Sequence, residues 1–185
     1  MTRHSAAKIL WLDLEMTGLD PVKDRIMEVG MIATDWDFQA VATLEAVVKV
    51  SPTTIKRRML EGPSAAFFAQ HTDTRDQLIE QNAESGRPAK EVEAEIIDFI
   101  HKNFADDQPV LLAGNSIHMD RQFIAREWPN FDKLLHYRML DVSAWKVVFE
   151  GRYRKKYAKP EAHRAMTDIQ GSIEELKYYL GKIKL

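Results

Sequence analysis

The chain has 185 residues, 45% of them hydrophobic, which is ample for one buried core, and its formal charge of −2 argues against a general polyanion binder. It contains no cysteine, which excludes disulfides, a thiol nucleophile and thiolate metal ligands and fits a reducing, cytoplasmic setting. The opening MTRHSAAK leads into an apolar run of strand length, too short to span a bilayer, so no membrane association is expected.

In chain order, residues 8–16 read as a first strand. RIMEVGMIATDW (25–36) and ATLEAVVKV (42–50), rich in β-branched residues, read as antiparallel neighbours. GLDPVKD, between the first two, carries the Gly, Pro and Asp of a turn. From Ser51 to about Gly86 the pattern weakens into short helices broken at Gly62-Pro63. Pro88 then opens a better helix, with Val92, Ile96, Phe99 and Ile100 on one face. PVLLAGN (109–115) reads as a short buried strand, and MDRQFIAREW (119–128) as a helix stopped by Pro129. RMLDVS (138–143) is a further strand, followed by helical SAWKVVFE. In the last helix Met166, Ile169, Ile173, Leu176 and Leu180 recur at the helical spacing. With no repeat and no linker, the pattern predicts a single domain over 1–185, an α/β fold with a mixed central sheet flanked by helices.

The first strand ends in an unusual way. ILWLDLEMTGLDP places Asp13 and Glu15 at the rim of a dense apolar run with no lysine or arginine beside them. Residues i and i+2 of a strand share a face, so the two carboxylates project together, roughly 6.5–7 Å apart at Cα. Like charges this close need a counter-charge or a raised pKa, and hard divalent ions prefer carboxylate oxygen. A lone D-x-E is also what a solvated strand end presents, and the pair decides nothing by itself. Two more acids occupy element edges: Asp120 begins a helix just after a strand exit, and Asp168 lies in the first turn of the last helix. Exposed acids at helix starts are commonplace through the helix dipole. Four acids at strand exits and helix starts of one small α/β domain suit a two-metal site, whose ligands converge from separate elements. His163 precedes Asp168 by five residues, which in a helix turns the side chain by about 140°. It can join the same site only from the loop entering the helix, where Pro160 stands just upstream, and from there it could take a proton from the attacking water.

These residues carry a resemblance. WLDLEMTGLDP, LAGNSIHMDRQF, LHYRMLDVS and HRAMTDI, in that order and spanning nearly the whole chain, resemble the motifs of the oligoribonuclease family, in the histidine-bearing branch of the DEDD exonucleases. The resemblance implies an RNase H-like exonuclease fold, a homodimer, and 3′-to-5′ hydrolysis of very short RNA to 5′-mononucleotides using two divalent ions, Mg²⁺ or Mn²⁺. It assigns metal binding to Asp13, Glu15, Asp120 and Asp168, with Asp13 shared between the ions, and makes His163 the general base. Leu19 matches a residue wedged between the two terminal bases. Tyr137, Arg138 and Ser143 match residues that hold the 5′ phosphate of a dinucleotide, with Tyr137 supplied to the catalytic site of the partner subunit. His71 and Ser116 fall at further substrate-binding positions.

The chain departs from the family pattern in three places. Ala66 stands where a tryptophan is usual five residues before His71, with Phe67 and Phe68 beside it; TDTRDQL replaces the common continuation; and His118-Met119 precede Asp120. None of these removes a metal ligand. RYRKKYAK (152–159) interleaves basic residues with Tyr153 and Tyr157, either as a solvated loop or as a feature that raises phosphate concentration near His163. Three alternatives share the motifs in part: an exonuclease trimming longer DNA or RNA 3′ ends, a non-catalytic nucleic-acid-binding module, and a phosphomonoesterase of the haloacid-dehalogenase type. The last wants a second Asp where Glu15 stands.

Overall fold

The computed structural model describes residues 7–158 and 164–183. Three strands come first: β1 (Ile9–Met16), β2 (Ile26–Thr34) and β3 (Ala40–Val47). A helical run follows, with α1 (Pro52–Ile55) continuing as a π-helical turn over Lys56–Leu60, then α2 (Ala65–Gln70), α3 (Thr72–Ser85) and α4 (Ala89–Asn103). The chain then alternates through β4 (Val110–Gly114), α5 (His118–Glu127), α6 (Pro129–Asp132), β5 (Leu135–Asp141), α7 (Val142–Tyr153) and α8 (Ala165–Leu180).

The five strands form one mixed sheet in the order β3-β2-β1-β4-β5. β1–β2 and β2–β3 are antiparallel, whereas β1–β4 and β4–β5 are parallel. Strand alternation divides β1 between two cores. Leu10, Leu12 and Leu14 pack with Val92 and Ile96 of α4 and Phe123 and Ile124 of α5. Ile9 and Trp11 pack with Val142 and Phe149 of α7 and Ile169, Ile173 and Leu176 of α8. Each such fully buried aliphatic side chain contributes about 1.5–3 kcal/mol of transfer free energy. A smaller cluster of Met27, Ile55, Met59, Phe68 and Leu78 seats the helical run 52–85 against β2. All nine residues of β2 are buried, which is why its run is apolar almost throughout.

Two boundaries differ from the sequence expectation. β5 begins at Leu135 rather than Arg138, because Leu135 pairs with Val110. As an edge strand it exposes Tyr137 and Arg138, so its first half lacks an apolar signature. Pro129 does end α5, but it also occupies the first turn of α6, where its fixed φ suits a helix start. No helix among the described residues is long and apolar enough to cross a membrane.

β1 pairs with β4 only over Ile9–Trp11, so the strands part towards their carboxyl ends. The sheet changes direction at this point, which is where open α/β sheets place their ligand crevices.

Candidate active site

Beyond Trp11, the face of β1 that packs on α8 presents Asp13 and then Glu15. Asp168 stands in the first turn of α8. One carboxylate oxygen from each of Asp13, Glu15 and Asp168 lies within 4.8 Å of the others. Gly30 makes this convergence possible. It pairs with Asp13 across β1–β2, and a Cβ there would lie 2.9 Å from Ala165 Cβ and 3.1 Å from Ile169 Cδ1. Glycine therefore lets the first turn of α8 settle onto the sheet beside the acids.

A fifth acid supports the arrangement, and the motif-based reading did not single it out. Glu28 is 6% exposed and lies directly opposite Glu15 in the strand register. Its carboxylate accepts Arg164 Nη2 at 3.0 Å and the Ala165 N–H at 3.3 Å. Arg164 also donates to Gln77 and Gln81 of α3, each at 3.0 Å, while its own N–H donates to Asp168 Oδ2 at 3.1 Å. The start of α8 is thus tied to β2, to α3 and to its own acid. The available signal was a lone Glu inside an otherwise apolar strand, which must find a cation when buried.

Burial, and after it the carboxylates of Glu28 and Asp168, push Glu15 up to about 8 although Arg164 opposes the shift. Asp120, 6% exposed, lies outside the three-carboxylate cluster. Its Oδ1 accepts the Leu14 N–H at 3.0 Å, a strand donor that points into the gap where β4 has diverged. Burial raises Asp120 to about 7, against the lowering effect of backbone amides at its own position and at Leu14. Carboxylates converging in a half-buried crevice suit a hard divalent cation, which supplies the charge needed to keep them ionised at neutral pH.

Both shifts carry a pH signature. Between 4.5 and about 8 for Glu15, and between 3.8 and about 7 for Asp120, the folded state holds protons that the unfolded chain has released. Metal-free protein therefore loses stability as pH rises through that window and levels off above it. The Tm in chelator is expected to fall by on the order of 5 °C from about pH 5 to about pH 8, with Mn²⁺ raising it more at the higher pH. A Tm indifferent to Mn²⁺ at both pH values would show that the cluster holds no cation.

A cleft of about 540 Å³ opens from Glu15, between the loop after β1 and the 58–68 segment. Leu19, 70% exposed, lines it together with Phe67. Phe67 is 43% exposed and its ring lies 4.5 Å from that of His71, whereas Phe68 is buried in the small third core. Of the two phenylalanines beside Ala66, the first therefore faces the cleft more openly and the second is structural.

Ser116 and Ser143 meet at the carboxyl ends of β4 and β5. Their hydroxyls lie 3.0 Å apart, and the Ser116 N–H donates to Asp141 Oδ1 at 3.0 Å and to Ser143 Oγ at 2.9 Å. Ser116 has φ 50°, a left-handed conformation held by these bonds. Tyr137 is 74% exposed on the sheet edge, stacked on His136 at 4.5 Å with the Arg138 guanidinium 5.2 Å from its ring centre. It does not line the cleft. His163 and Lys159 lie outside the described residues. Within the basic stretch, Arg152, Arg154, Lys155 and Lys156 are exposed, and Tyr157 packs on Tyr178.

The chain matches the RNase_T exonuclease family over residues 10–176. It is 37% identical over 183 residues to an oligoribonuclease of Francisella tularensis, covering 97% of this chain and 98% of the relative. An oligoribonuclease of Neisseria meningitidis serogroup B is 36% identical over 174 residues, covering 92% of this chain and 89% of the relative. Among solved structures, the metal-free form of the E. coli exonuclease I–ssDNA complex superposes with TM-score 0.64 at 14% identity, covering 95% of this chain and 40% of that one. Exonuclease I of Methylocaldum szegediense gives TM-score 0.62 at 16% identity, covering 94% of this chain and 41% of that one. The chain spans about two-fifths of the exonuclease I length, and this likeness establishes the RNase H-like exonuclease fold.

Proposed function

Because the chain belongs to the RNase_T exonuclease family, and within it to the oligoribonucleases, we propose that it hydrolyses short oligoribonucleotides, dinucleotides above all, to 5′-mononucleotides. The chain is a metal-dependent 3′-to-5′ exoribonuclease. The observation that carries the finer reading is the convergence of Asp13, Glu15 and Asp168 within 4.8 Å beside an apolar cleft. Asp13, Glu15 and Asp168 would hold one divalent ion, Mg²⁺ or Mn²⁺, and Asp120 with Asp13 would hold a second. Such ions, when bound, would supply the positive charge that activates an attacking water and offsets charge on the phosphate.

The side chains do the rest. His163, which lies outside the described residues, acts as the general base that accepts the proton of the attacking water. Leu19 separates the two terminal bases, and Phe67 with His71 offers an aromatic face where Ala66 supplies none. Ser116, Ser143 and Arg138 receive the 5′ phosphate. The chain works in the cytoplasm as a homodimer, and Tyr137, exposed on the edge strand of one protomer, closes the site of its partner. A closed 5′ end leaves no room for a further nucleotide, which is how short substrates are selected.

Tyr137→Ala is expected to lower kcat/KM on a diribonucleotide about 30-fold. Mixed with an Asp13→Ala chain it should recover activity, since a hybrid dimer holds one site with both residues intact. No recovery on mixing would mean that Tyr137 acts within its own protomer.

The test of the whole reading is a time course on 5′-labelled RNA of two, three, five and twenty nucleotides, in Mg²⁺ or Mn²⁺ and in chelator. Metal-dependent cleavage fastest on the dinucleotide is expected. Rates independent of length would show an enzyme that trims longer 3′ ends.

A further inference from the structure

The cleft beside Glu15 has two walls. One is the loop Gly18–Asp20, which follows directly from the strand carrying the acids, and the other runs from Arg58 through Ser64 to Phe67. They come close at Gly18, where a Cβ would run into Ser64 Oγ of the opposite wall and lie 2.6 Å from Asp24 Oδ2. Beneath that point Asp24 is 1% exposed. Its carboxylate accepts four hydrogen bonds: Thr17 Oγ1 at 3.0 Å, the Asp20 N–H at 3.0 Å, Arg58 Nε at 2.7 Å and Arg58 Nη2 at 3.0 Å. The first two come from the acid-bearing wall and the last two from the opposite one. Arg58, with only 11% of its side chain exposed, sits in the π-helical turn Lys56–Leu60, whose widened winding accompanies its aim towards Asp24.

Such a bidentate Arg–carboxylate pair fixes distance and orientation together. Burial by itself raises the Asp24 carboxyl, but hydrogen bonds from Arg58, Asp20 and Thr17 outweigh it and hold Asp24 below its ordinary value. The pair remains charged at working pH. Leu19 and Phe67, the large apolar side chains at the mouth of the two walls, are both left exposed.

We propose that the Asp24–Arg58 ion pair is a clamp that sets the separation of the Leu19 and Phe67 walls, and so determines how tightly the terminal base of an oligonucleotide is held. The inference rests on the proposed substrate class and assigns Arg58 as a positioning residue that acts on the base through the cleft wall. It involves none of the metal-binding acids. Substrate grip and chemistry are therefore separable in this fold: the clamp governs the first and the carboxylates the second.

Arg58→Lys keeps the charge and loses the fork, and is expected to raise the diribonucleotide KM about tenfold while kcat stays within about threefold. Mn²⁺ affinity, read from the Mn²⁺ dependence of Tm, stays at the parent value. Phe67→Ala should raise KM similarly, and combining it with Arg58→Lys should add less than it does alone, because both loosen one wall. Asp24→Asn, which keeps a carbonyl acceptor and loses the charge, is the second variant and should show the same split should Arg58→Lys fail to fold. A lower Tm with unchanged KM would reduce the pair to a structural tie and overturn the proposal, as would a kcat loss at constant KM. If the parent chain hydrolyses no ribonucleotide, the proposed function fails. The clamp is then decided by diribonucleotide affinity in Ca²⁺, where equal binding by parent and Arg58→Lys overturns it.

Discussion

Asp13→Ala is expected to lower kcat on a diribonucleotide by about 10⁴-fold, with the Tm in chelator no lower than that of the parent chain. Asp13 lies half-buried on the strand face where Ile9 and Trp11 supply the apolar packing. It is one of three carboxylates within 4.8 Å, and removing one like charge relieves the cluster. What the substitution destroys is the shared ligand on which both proposed ions depend. Glu28→Ala is the informative contrast. Glu28 is buried and bonded to Arg164 and Ala165, so its loss strands a half-buried guanidinium and lowers Tm first. The measurement is steady-state hydrolysis by purified variants beside thermal melts with and without Mn²⁺. Near-parent turnover by Asp13→Ala would remove the two-ion assignment altogether.

Features encoded by local periodicity were readable directly. The alternation in ILWLDLEM puts Asp13 and Glu15 on one face, and the structure keeps them there, continuing the line of Ile9 and Trp11. The spacing of Ile169, Ile173 and Leu176 identified the buried face of α8, and with it the turn holding Asp168. What escaped depends on pairing across the sheet or between distant segments. Glu28 acquires its role by standing opposite Glu15, and register cannot be read from one strand. Gly30 looks like a weak point in a strand until Ala165 is found resting on it. Asp24 and Arg58 are 34 positions apart and meet with the arginine on a π-helical turn, a feature without a composition signal. The first half of β5 was missed for the opposite reason. An exposed edge strand buries too little to show a pattern, although its HYR residues are the ones a resemblance can read.

Asp120→Asn is expected to separate catalysis from stability more sharply than any other single change, lowering kcat about 10³-fold while raising the metal-free Tm at pH 8 by roughly 3 °C or more. Asp120 is almost fully buried, and its carboxyl is raised to about 7 chiefly by that burial. A group whose folded pKa lies above its unfolded value of 3.8 adds stability at low pH, and this contribution is lost as pH climbs to about 7. Above that value the carboxylate is ionised in a site that resists charge. An asparagine oxygen can still accept the Leu14 N–H that now bonds Oδ1 at 3.0 Å, and it carries no charge to desolvate. The stabilisation should therefore vanish near pH 4 and reach its plateau above about pH 7, a profile visible by melting both proteins in chelator across that range. Added Mn²⁺ should then stabilise the parent more than the variant, since only the parent has the second anionic oxygen to offer. An unchanged kcat together with a lower Tm at every pH would identify Asp120 as a structural tether for β1, leaving the ions to Asp13, Glu15 and Asp168 alone.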